Sequence, residues 1–206
     1  MSKSIDYSEL LIILPALNEE LALKPTIEKI KRACSGAEIV VIDNGSTDKT
    51  VAVAESMGVK ILLEPQKGKG FAVRRGFSSV GVQHKYVFMV DADDTYGLEA
   101  IDQAIELINK SGYDMIVGTR VDSDEIEPGR KVSYKRGHSI GNAFLTLIAK
   151  KLHRVEIEDS LSGWRLMSTR FVKSFPGGAS GFEIEAELNA HAYIISAGVS
   201  NVEISY

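Results

Sequence analysis

Asp91 and Asp93, separated only by Ala92, are the residues of this chain best suited to chemistry. They follow the apolar run 86–90, which predicts a buried strand of an α/β sheet. Such sheets bind ligands beyond the carboxyl ends of their strands, where these two carboxylates fall. The carboxylates repel each other unless a cation neutralises them, and Mg²⁺ or Mn²⁺ prefers such oxygen ligands. The alternative is an acidic loop without a ligand, because Asp-x-Asp is common by chance.

A second polar loop, residues 15–20, follows the apolar run 10–14. Pro15 has no N–H and is expected to end the strand ladder there. Asn18 can cap the next helix, and Glu19 suits the positive end of that helix. This structural account is sufficient, but a carboxylate at this edge could also accept a hydrogen bond from a ribose hydroxyl.

A third loop, residues 43–48, follows the run 38–42. Gly45 permits a sharp turn, and Ser46 or Thr47 can cap the following helix. Asp43 has no obvious capping role and could accept a hydrogen bond from a nucleobase N–H. Base recognition and simple turn chemistry both remain open for Asp43.

The segment Gly68-Lys69-Gly70 opens a predicted helix. Glycines at a helix start let backbone N–H groups approach a phosphate, and Lys69 adds positive charge. The segment is not a Walker P-loop, because Gly-x-x-x-x-Gly-Lys-Ser/Thr is absent. Together the loops offer groups for a base, a ribose and phosphates, which favours a metal at Asp91 and Asp93.

The elements that must position these loops alternate between short apolar strands and amphipathic helices. Strands are predicted at 10–14, 38–42, 59–63, 86–90, 113–117 and 199–206, and helices at 19–34, 47–57, 70–80, 98–109 and 181–197; residues 163–165 form a strand or turn. This alternation predicts a three-layer α/β domain over 1–206, with a mostly parallel sheet covered by helices on both faces. Because the chain stops in or just after the last strand, a natural protein could continue beyond Tyr206.

Composition excludes several classes of function. The chain has 206 residues, 44% of them hydrophobic, a net charge of −4 and a pI near 5.6, which argues against nucleic-acid binding. The single cysteine, Cys34, excludes an internal disulfide and a Cys-rich zinc site. No signal peptide or membrane-spanning run is visible, so a cytoplasmic setting is expected.

Two later segments break the regular alternation. Residues 122–130 hold four acidic residues together with Pro128 and Gly129. This composition predicts a mobile loop, over about 122–134. The helix predicted over 135–151 has apolar residues at helical spacing and a basic end. It either faces the core or contacts a membrane surface, which would make the protein peripheral at the cytoplasmic face.

The motifs, taken in order, resemble the family 2 glycosyltransferases of the GT-A fold. Within that family they look most like dolichyl- or polyprenyl-phosphate hexose synthases, such as dolichol-phosphate mannosyltransferase. Besides the four loops, the resemblance rests on Gly118-Thr119-Arg120, Lys135-Arg136-Gly137-His138-Ser139 with Asn142, Asp159-Ser160-Leu161-Ser162-Gly163-Trp164-Arg165, and Gly181-Phe182-Glu183-Ile184-Glu185-Ala186-Glu187-Leu188. It covers the chain from about residue 8 to the end.

The resemblance implies roles for individual residues. Those expected to hold the nucleoside and its phosphates are Pro15, Leu17, Glu19, Asp43, Gly45, Lys69, Asp91 and Ala92. Asp91 and Asp93 would hold Mg²⁺ or Mn²⁺, and Arg120 with Lys135 or Arg136 would meet an acceptor phosphate. The donor would be a UDP- or GDP-linked hexose, and the acceptor a polyprenyl or dolichyl phosphate at a membrane surface. Two departures are Asn44, where the family often has Asp, and Thr95, where dolichol-phosphate mannosyltransferase has a metal-binding glutamine.

The implied reaction is a single inverting displacement, with most of the gain coming from positioning and electrostatics. If the acceptor were a sugar hydroxyl of a polysaccharide or glycolipid, a base would be required, and Asp159 is the candidate. A nucleotide-sugar-binding module without turnover is a further alternative. A sugar nucleotidyltransferase is disfavoured, because 14–20 lacks the glycine-rich loop. A dehydrogenase is disfavoured, because Gly-x-Gly-x-x-Gly is absent after the first strand.

Overall fold

A computed structural model describes residues 5–121 and 157–206. Their strands form one seven-stranded sheet in the order β3-β2-β1-β4-β6-β5-β7. The strands are β1 (Leu10–Ala16), β2 (Glu38–Asp43), β3 (Lys60–Leu63), β4 (Tyr86–Met89), β5 (Met115–Val121), β6 (Arg165–Ser168) and β7 (Val199–Ser205). β6 runs antiparallel to both of its neighbours, β4 and β5, and every other pairing is parallel. The predicted mostly parallel sheet is therefore confirmed.

Helices cover both faces of this sheet. After a short 3₁₀ turn (Tyr7–Glu9), they are α1 (Leu23–Ala33), α2 (Thr50–Ser56), α3 (Lys69–Phe77), α4 (Ile101–Ser111), α5 (Thr169–Ser174) and α6 (Ile184–Ile194). Alternate residues of the buried strands point to opposite faces, so Ile12 belongs to the apolar cluster that includes residues of α1, α2 and α4, while Ile13 belongs to the cluster that includes residues of α3, α5 and α6. The two apolar clusters lie between the sheet and the helices on either face, so the domain has the three layers that the sequence predicted.

The first two helices begin later than the sequence predicted. Asn18 does not cap α1, which begins at Leu23 without a side-chain cap. Neither Ser46 nor Thr47 caps α2, because α2 begins at Thr50. Asn18 instead has a positive φ of 59°, so the chain turns there before the helix starts.

The chain order places the polar loops at one edge of the sheet. β2 and β3 lie on one side of β1, and β4 lies on the other side. A crevice forms where the order of an open sheet reverses in this way, beyond the carboxyl ends of the strands. The loops after β1 and β4 flank that crevice.

Two predicted segments, the loop 122–134 and the helix 135–151, lie outside the described residues. Among the helices that the structure does describe, none has the length and apolarity needed to cross a bilayer.

Candidate active site

The loops after β1 and β2 are fastened to each other by hydrogen bonds. The Asn18 amide donates to Ser46 Oγ at 2.9 Å, and the Thr47 amide donates to Asn18 Oδ1 at 2.8 Å. The Glu19 amide donates to Thr50 Oγ1 at 2.8 Å. The two loops therefore form one rigid rim, which carries Glu19 at the crevice.

Pro15 does not end the strand, contrary to the sequence prediction. The ladder to β2 continues through Pro15 and Ala16, which pair with Ile42 and Asp43. The ladder to β4 stops at Ile13. The crevice therefore opens between β1 and β4, and Leu17, which is 47% exposed, follows at its edge.

Asp43 supports the turn that follows β2. Its carboxylate accepts hydrogen bonds from the amides of Gly45 at 3.2 Å and Ser46 at 3.3 Å. Gly45 has a φ of 84°, which its lack of a side chain permits. Asp43 is buried, and the structure gives it the turn-forming role that the sequence left open. Base recognition by Asp43 stays a prediction.

Asn44 fixes the loop that leads into α3. Its Nδ2 donates to the carbonyls of Glu64 at 3.1 Å and Gln66 at 2.7 Å, and its Oδ1 accepts from the Gly68 amide at 2.7 Å. An aspartate could not make the two donated bonds. The departure at Asn44 thus has a structural reason, because this side chain joins β2 to the start of α3.

Gly68 and Gly70 serve a close backbone contact, which the sequence did not predict. A Cβ atom on Gly68 would lie 2.1 Å from the carbonyl oxygen of Ser180, and one on Gly70 would lie 2.2 Å from that of Ala179. The Gly70 amide donates to Ser180 O at 3.0 Å. Since the Gly68 amide is bound to Asn44, these two amides are engaged within the protein and not presented to a phosphate.

Lys69, between these glycines, does lie in the predicted site. Its Nζ is 2.6 Å from Asp91 Oδ1 and 2.7 Å from Glu185 Oε1. The side chains of Lys69, Asp91 and Glu185 are 11%, 25% and 3% exposed. Burial alone would lower the pKa of Lys69, but the two carboxylates more than offset this effect and raise it. Lys69 is therefore a charged ammonium shared by two carboxylates.

Asp91 is closely surrounded. A Cβ atom on Gly163 would lie 2.3 Å from Asp91 Oδ2, so only glycine leaves room for this carboxylate. The Gly163 amide donates to the Tyr96 hydroxyl at 3.1 Å. Burial, and then the charge of Asp91, raises the pKa of Tyr96 to about 12, so Tyr96 is a neutral phenol.

The loop after β4 is held by α1 and by hydrogen bonds within the loop. Ala92 is buried, and its carbonyl accepts a hydrogen bond from Thr26 Oγ1 on α1 at 3.2 Å. Thr95 Oγ1 donates to Asp93 Oδ1 at 2.6 Å, and the Thr95 amide donates to the same oxygen at 3.2 Å. Thr95 thus orients Asp93, an exposed carboxylate at the crevice.

The pKa of Glu19 is raised above its ordinary value. Burial is the largest cause, and the charges of Asp93, Asp48 and Asp91 add to it. These interactions mean that the rim and the loop after β4 face each other with like charges. A cation entering the crevice would relieve that repulsion.

Arg120 and Asp159 form a second part of the site. Arg120 lies near the end of β5, and its guanidinium donates to both carboxylate oxygens of Asp159. The Tyr206 ring lies 5.1 Å from the guanidinium carbon, and its centroid is 5.6 Å from that of Tyr96. Tyr96 therefore lies between the two parts of the site, with its ring near Tyr206 and its hydroxyl hydrogen-bonded to Gly163, which contacts Asp91.

A fully buried arginine supports this region from below. Arg165 Nη1 donates to Asn189 Oδ1 at 2.6 Å, and Nη2 donates to the Ser160 carbonyl at 3.0 Å. Burial lowers the pKa of Arg165. The arginine fixes the segment 159–163 against α6, which also carries Glu185.

The predicted acceptor residues Lys135 and Arg136 lie outside the described residues. Within 5–121 and 157–206, no three histidine, cysteine or acidic side chains converge as metal ligands. The donors that are present, Asp91 and Asp93, are hard carboxylate oxygens. They suit Mg²⁺ or Mn²⁺ if a bound diphosphate and water complete the coordination.

Three residues that matter here were not assigned roles from the sequence: Glu185, Gly163 and Tyr96. Glu185 and Gly163 lie within segments that carry the family resemblance, but nothing in the order of residues indicates which side chain turns inward. A buried carboxylate at a helix start could have been suspected from the apolar neighbours of Glu185. Its pairing with Lys69 depends on the packing of α6 against α3.

The fold and the site together define a GT-A glycosyltransferase domain, and comparison with known proteins agrees. The profile described as "Glycosyl transferase family 2" matches residues 11–169, so the chain belongs to that family. It is 39% identical to protein RfbJ of Shigella flexneri over 127 residues, which are 62% of this chain and 93% of RfbJ. It is 30% identical to a dolichyl-phosphate hexose transferase of Haloferax volcanii, over 77% of this chain and 66% of that protein.

The chain spans 45% and 56% of the length of two further haloarchaeal relatives. Among solved structures, it is similar to glucosyl-3-phosphoglycerate synthase from Mycobacterium tuberculosis in complex with Mn²⁺, UDP-glucose and phosphoglyceric acid. The TM-score is 0.73 at 20% identity, and the match covers 95% of this chain and 69% of that one. At this identity the likeness establishes the fold.

Proposed function

We propose that this domain transfers a hexose from a UDP- or GDP-linked sugar to an acceptor phosphate, in a divalent-metal-dependent and inverting reaction. The observation that carries the proposal is the set of carboxylates at the crevice between β1 and β4. Burial is the largest cause of the raised pKa of Glu19, and the negative charges of Asp93, Asp48 and Asp91 add to it. Such a concentration of negative charge is suited to a cation that is shared with a diphosphate.

Asp91 and Asp93 would hold Mg²⁺ or Mn²⁺, which when bound supplies positive charge to the departing diphosphate. Thr95 orients Asp93, and Gly163, which has no side chain, leaves the space that the Asp91 carboxylate occupies. The rim that carries Pro15, Leu17, Glu19 and Asp43 would take the nucleoside. The crystallised relative with Mn²⁺ and UDP-glucose supports this assignment by analogy.

The proposed acceptor is a polyprenyl or dolichyl phosphate presented at a membrane surface. Arg120 supports this choice, because a guanidinium binds phosphate well and Asp159 holds it in one orientation. A phosphate acceptor is ionised at neutral pH, so no strong base is required. The Haloferax relative that is named a dolichyl-phosphate hexose transferase points the same way.

The direct test is a transfer assay with UDP- and GDP-hexoses, Mn²⁺ and polyprenyl phosphate in vesicles. Asp93→Asn should abolish Mn²⁺-dependent nucleotide binding and transfer. Asp94→Asn is the matched control, since Asp94 adjoins the motif but pairs with Lys29 at 3.3 Å. Transfer that persists in Asp93→Asn would contradict the metal assignment. Transfer to soluble sugar hydroxyls alone would replace the lipid acceptor with the base-assisted reaction, and Asp159 would then be the first residue to test as the base.

A further inference from the structure

The Lys69 ammonium forms an ion pair with one of the two Asp91 carboxylate oxygens to which a cation would bind. Lys69 Nζ lies 2.6 Å from Asp91 Oδ1, and Gly163 packs closely against the other oxygen, Oδ2. A cation therefore cannot approach Oδ1 while the ammonium remains where it is. Binding at this carboxylate requires either a second direction of approach or the departure of Lys69.

Glu185 can bind the Lys69 ammonium when the ammonium leaves Asp91. Its Oε1 already lies 2.7 Å from Lys69 Nζ. Its Oε2 is buried and has no hydrogen-bond partner in the described part of the chain. A buried carboxylate oxygen without a partner is costly, so an arrangement that uses it would be favoured. Lys69 could satisfy this oxygen by a small movement towards Glu185, which would release Asp91.

We propose that Lys69 is the resident counter-ion of Asp91, that a divalent cation enters by displacing its ammonium, and that Glu185 is the positioning residue that receives it. This inference rests on the proposed function, because it takes Asp91 as a metal ligand. It adds that the Lys69 ammonium neutralises Asp91 and so opposes the approach of a cation. It also adds that Glu185, on α6, controls how readily the cation binds Asp91. No pattern in the sequence placed α6 near the nucleotide-sugar site.

The test measures Mn²⁺ binding by calorimetry, first without nucleotide and then with UDP or GDP present. Lys69→Met should bind Mn²⁺ about tenfold more tightly than the wild type, because a unit positive charge in contact with a ligand is gone. Lys29→Met is the matched control, since Lys29 pairs with Asp94 in the same loop region, and its affinity should change by less than about twofold. Equal affinities for Lys69→Met and Lys29→Met would overturn the displacement.

A double-mutant cycle tests the role of Glu185. Glu185→Gln should weaken Mn²⁺ binding about fivefold when Lys69 is present, because the ammonium then stays on Asp91. In the Lys69→Met background the same change should weaken binding by less than about twofold. Equal losses in both backgrounds would mean that Glu185 acts only through its charge, and its positioning role would be wrong.

Two further measurements separate the possible failures. Fluorescence of Trp164, the only tryptophan and fully buried, checks that each variant is folded, and Lys69→Gln replaces Lys69→Met if the latter is not. If no form binds Mn²⁺, even with UDP or GDP present, the metal-dependent function fails together with the displacement. If the wild type binds Mn²⁺ with nucleotide, but neither Lys69 variant binds it more tightly, only the displacement fails.

Discussion

Arg120 and Asp159 form a two-pronged ion pair, with Nε 2.5 Å from Oδ2 and Nη2 2.9 Å from Oδ1. Both oxygens of this carboxylate are engaged by the guanidinium. The pair fixes the end of β5 to the turn that precedes β6. Two of the five N–H donors of Arg120 serve Asp159, and the pair sets the direction in which the guanidinium faces.

Arg120→Ala should therefore reduce transfer to polyprenyl phosphate at least about tenfold, since a charge-assisted pair of hydrogen bonds to the acceptor is lost. Nucleotide affinity, measured by calorimetry, should change much less. Arg170→Ala is the control, because Arg170 binds Asp114 in the same manner just before β5 begins, at the opposite edge of the sheet. An Arg120→Ala variant with normal transfer would exclude this acceptor site.

Gly163→Ala should displace the Asp91 carboxylate, because the new Cβ atom would lie 2.3 Å from Oδ2. We expect Mn²⁺-dependent nucleotide affinity to fall about tenfold, because the Asp91 carboxylate would be moved away from the metal. Calorimetry gives the affinity, and the fluorescence of the neighbouring Trp164 reports whether the local fold survives. Unchanged affinity with an intact fold would show that Asp91 does not bind the metal.

Glu19→Gln should stabilise the metal-free protein at neutral pH. The folded protein holds the pKa of Glu19 above its ordinary value of 4.5, so the folded state binds the proton more tightly than the unfolded state does. The ionised side chain therefore destabilises the fold as pH rises through and above that range. Melting temperatures of both forms should differ at pH 7 and converge near pH 4. A difference independent of pH would rule out this electrostatic origin.

Asn44→Asp should lower the free energy of unfolding by about 1–3 kcal/mol, because the buried side chain can no longer donate to the carbonyls of Glu64 and Gln66. Asn18→Asp is a matched control, since among the described residues the Asn18 side chain accepts hydrogen bonds from Thr47 and donates none, and an aspartate can accept the same bonds. Urea denaturation of the two variants gives the comparison. If Asn18→Asp were the more destabilising change, the bridging role of Asn44 would be wrong.

The strands could be predicted because their signal is local. Runs such as 10–14 and 86–90 are buried on both faces of the sheet, so nearly every residue in them is apolar. Helix starts were harder to place. Asn18 has the composition of a cap, but its side chain is used by the loop after β2, which is distant in sequence.

The sequence predicted where the candidate carboxylates lie in the fold, but not their contacts with other residues. Strand ends placed Asp91, Asp43 and Glu19 at one edge, since parallel strands share that edge. The contacts of Lys69 with Glu185, and of Gly68 with Ser180, join residues more than a hundred positions apart. Such pairs depend on how α6 packs against α3, and no periodicity in the sequence encodes that.

The position of β6 has a consequence for how the chain folds. Among the strands of residues 5–121 and 157–206, β4 and β5 are not neighbours, and β6, which is made of residues 165–168, lies between them. Until that segment has been synthesised, β4 and β5 both present unpaired edges, which can associate with other chains. We expect β4 and β5 to be joined by β6 late in folding. Substitutions in β6 should therefore slow refolding and promote aggregation more than equally destabilising substitutions elsewhere in the sheet.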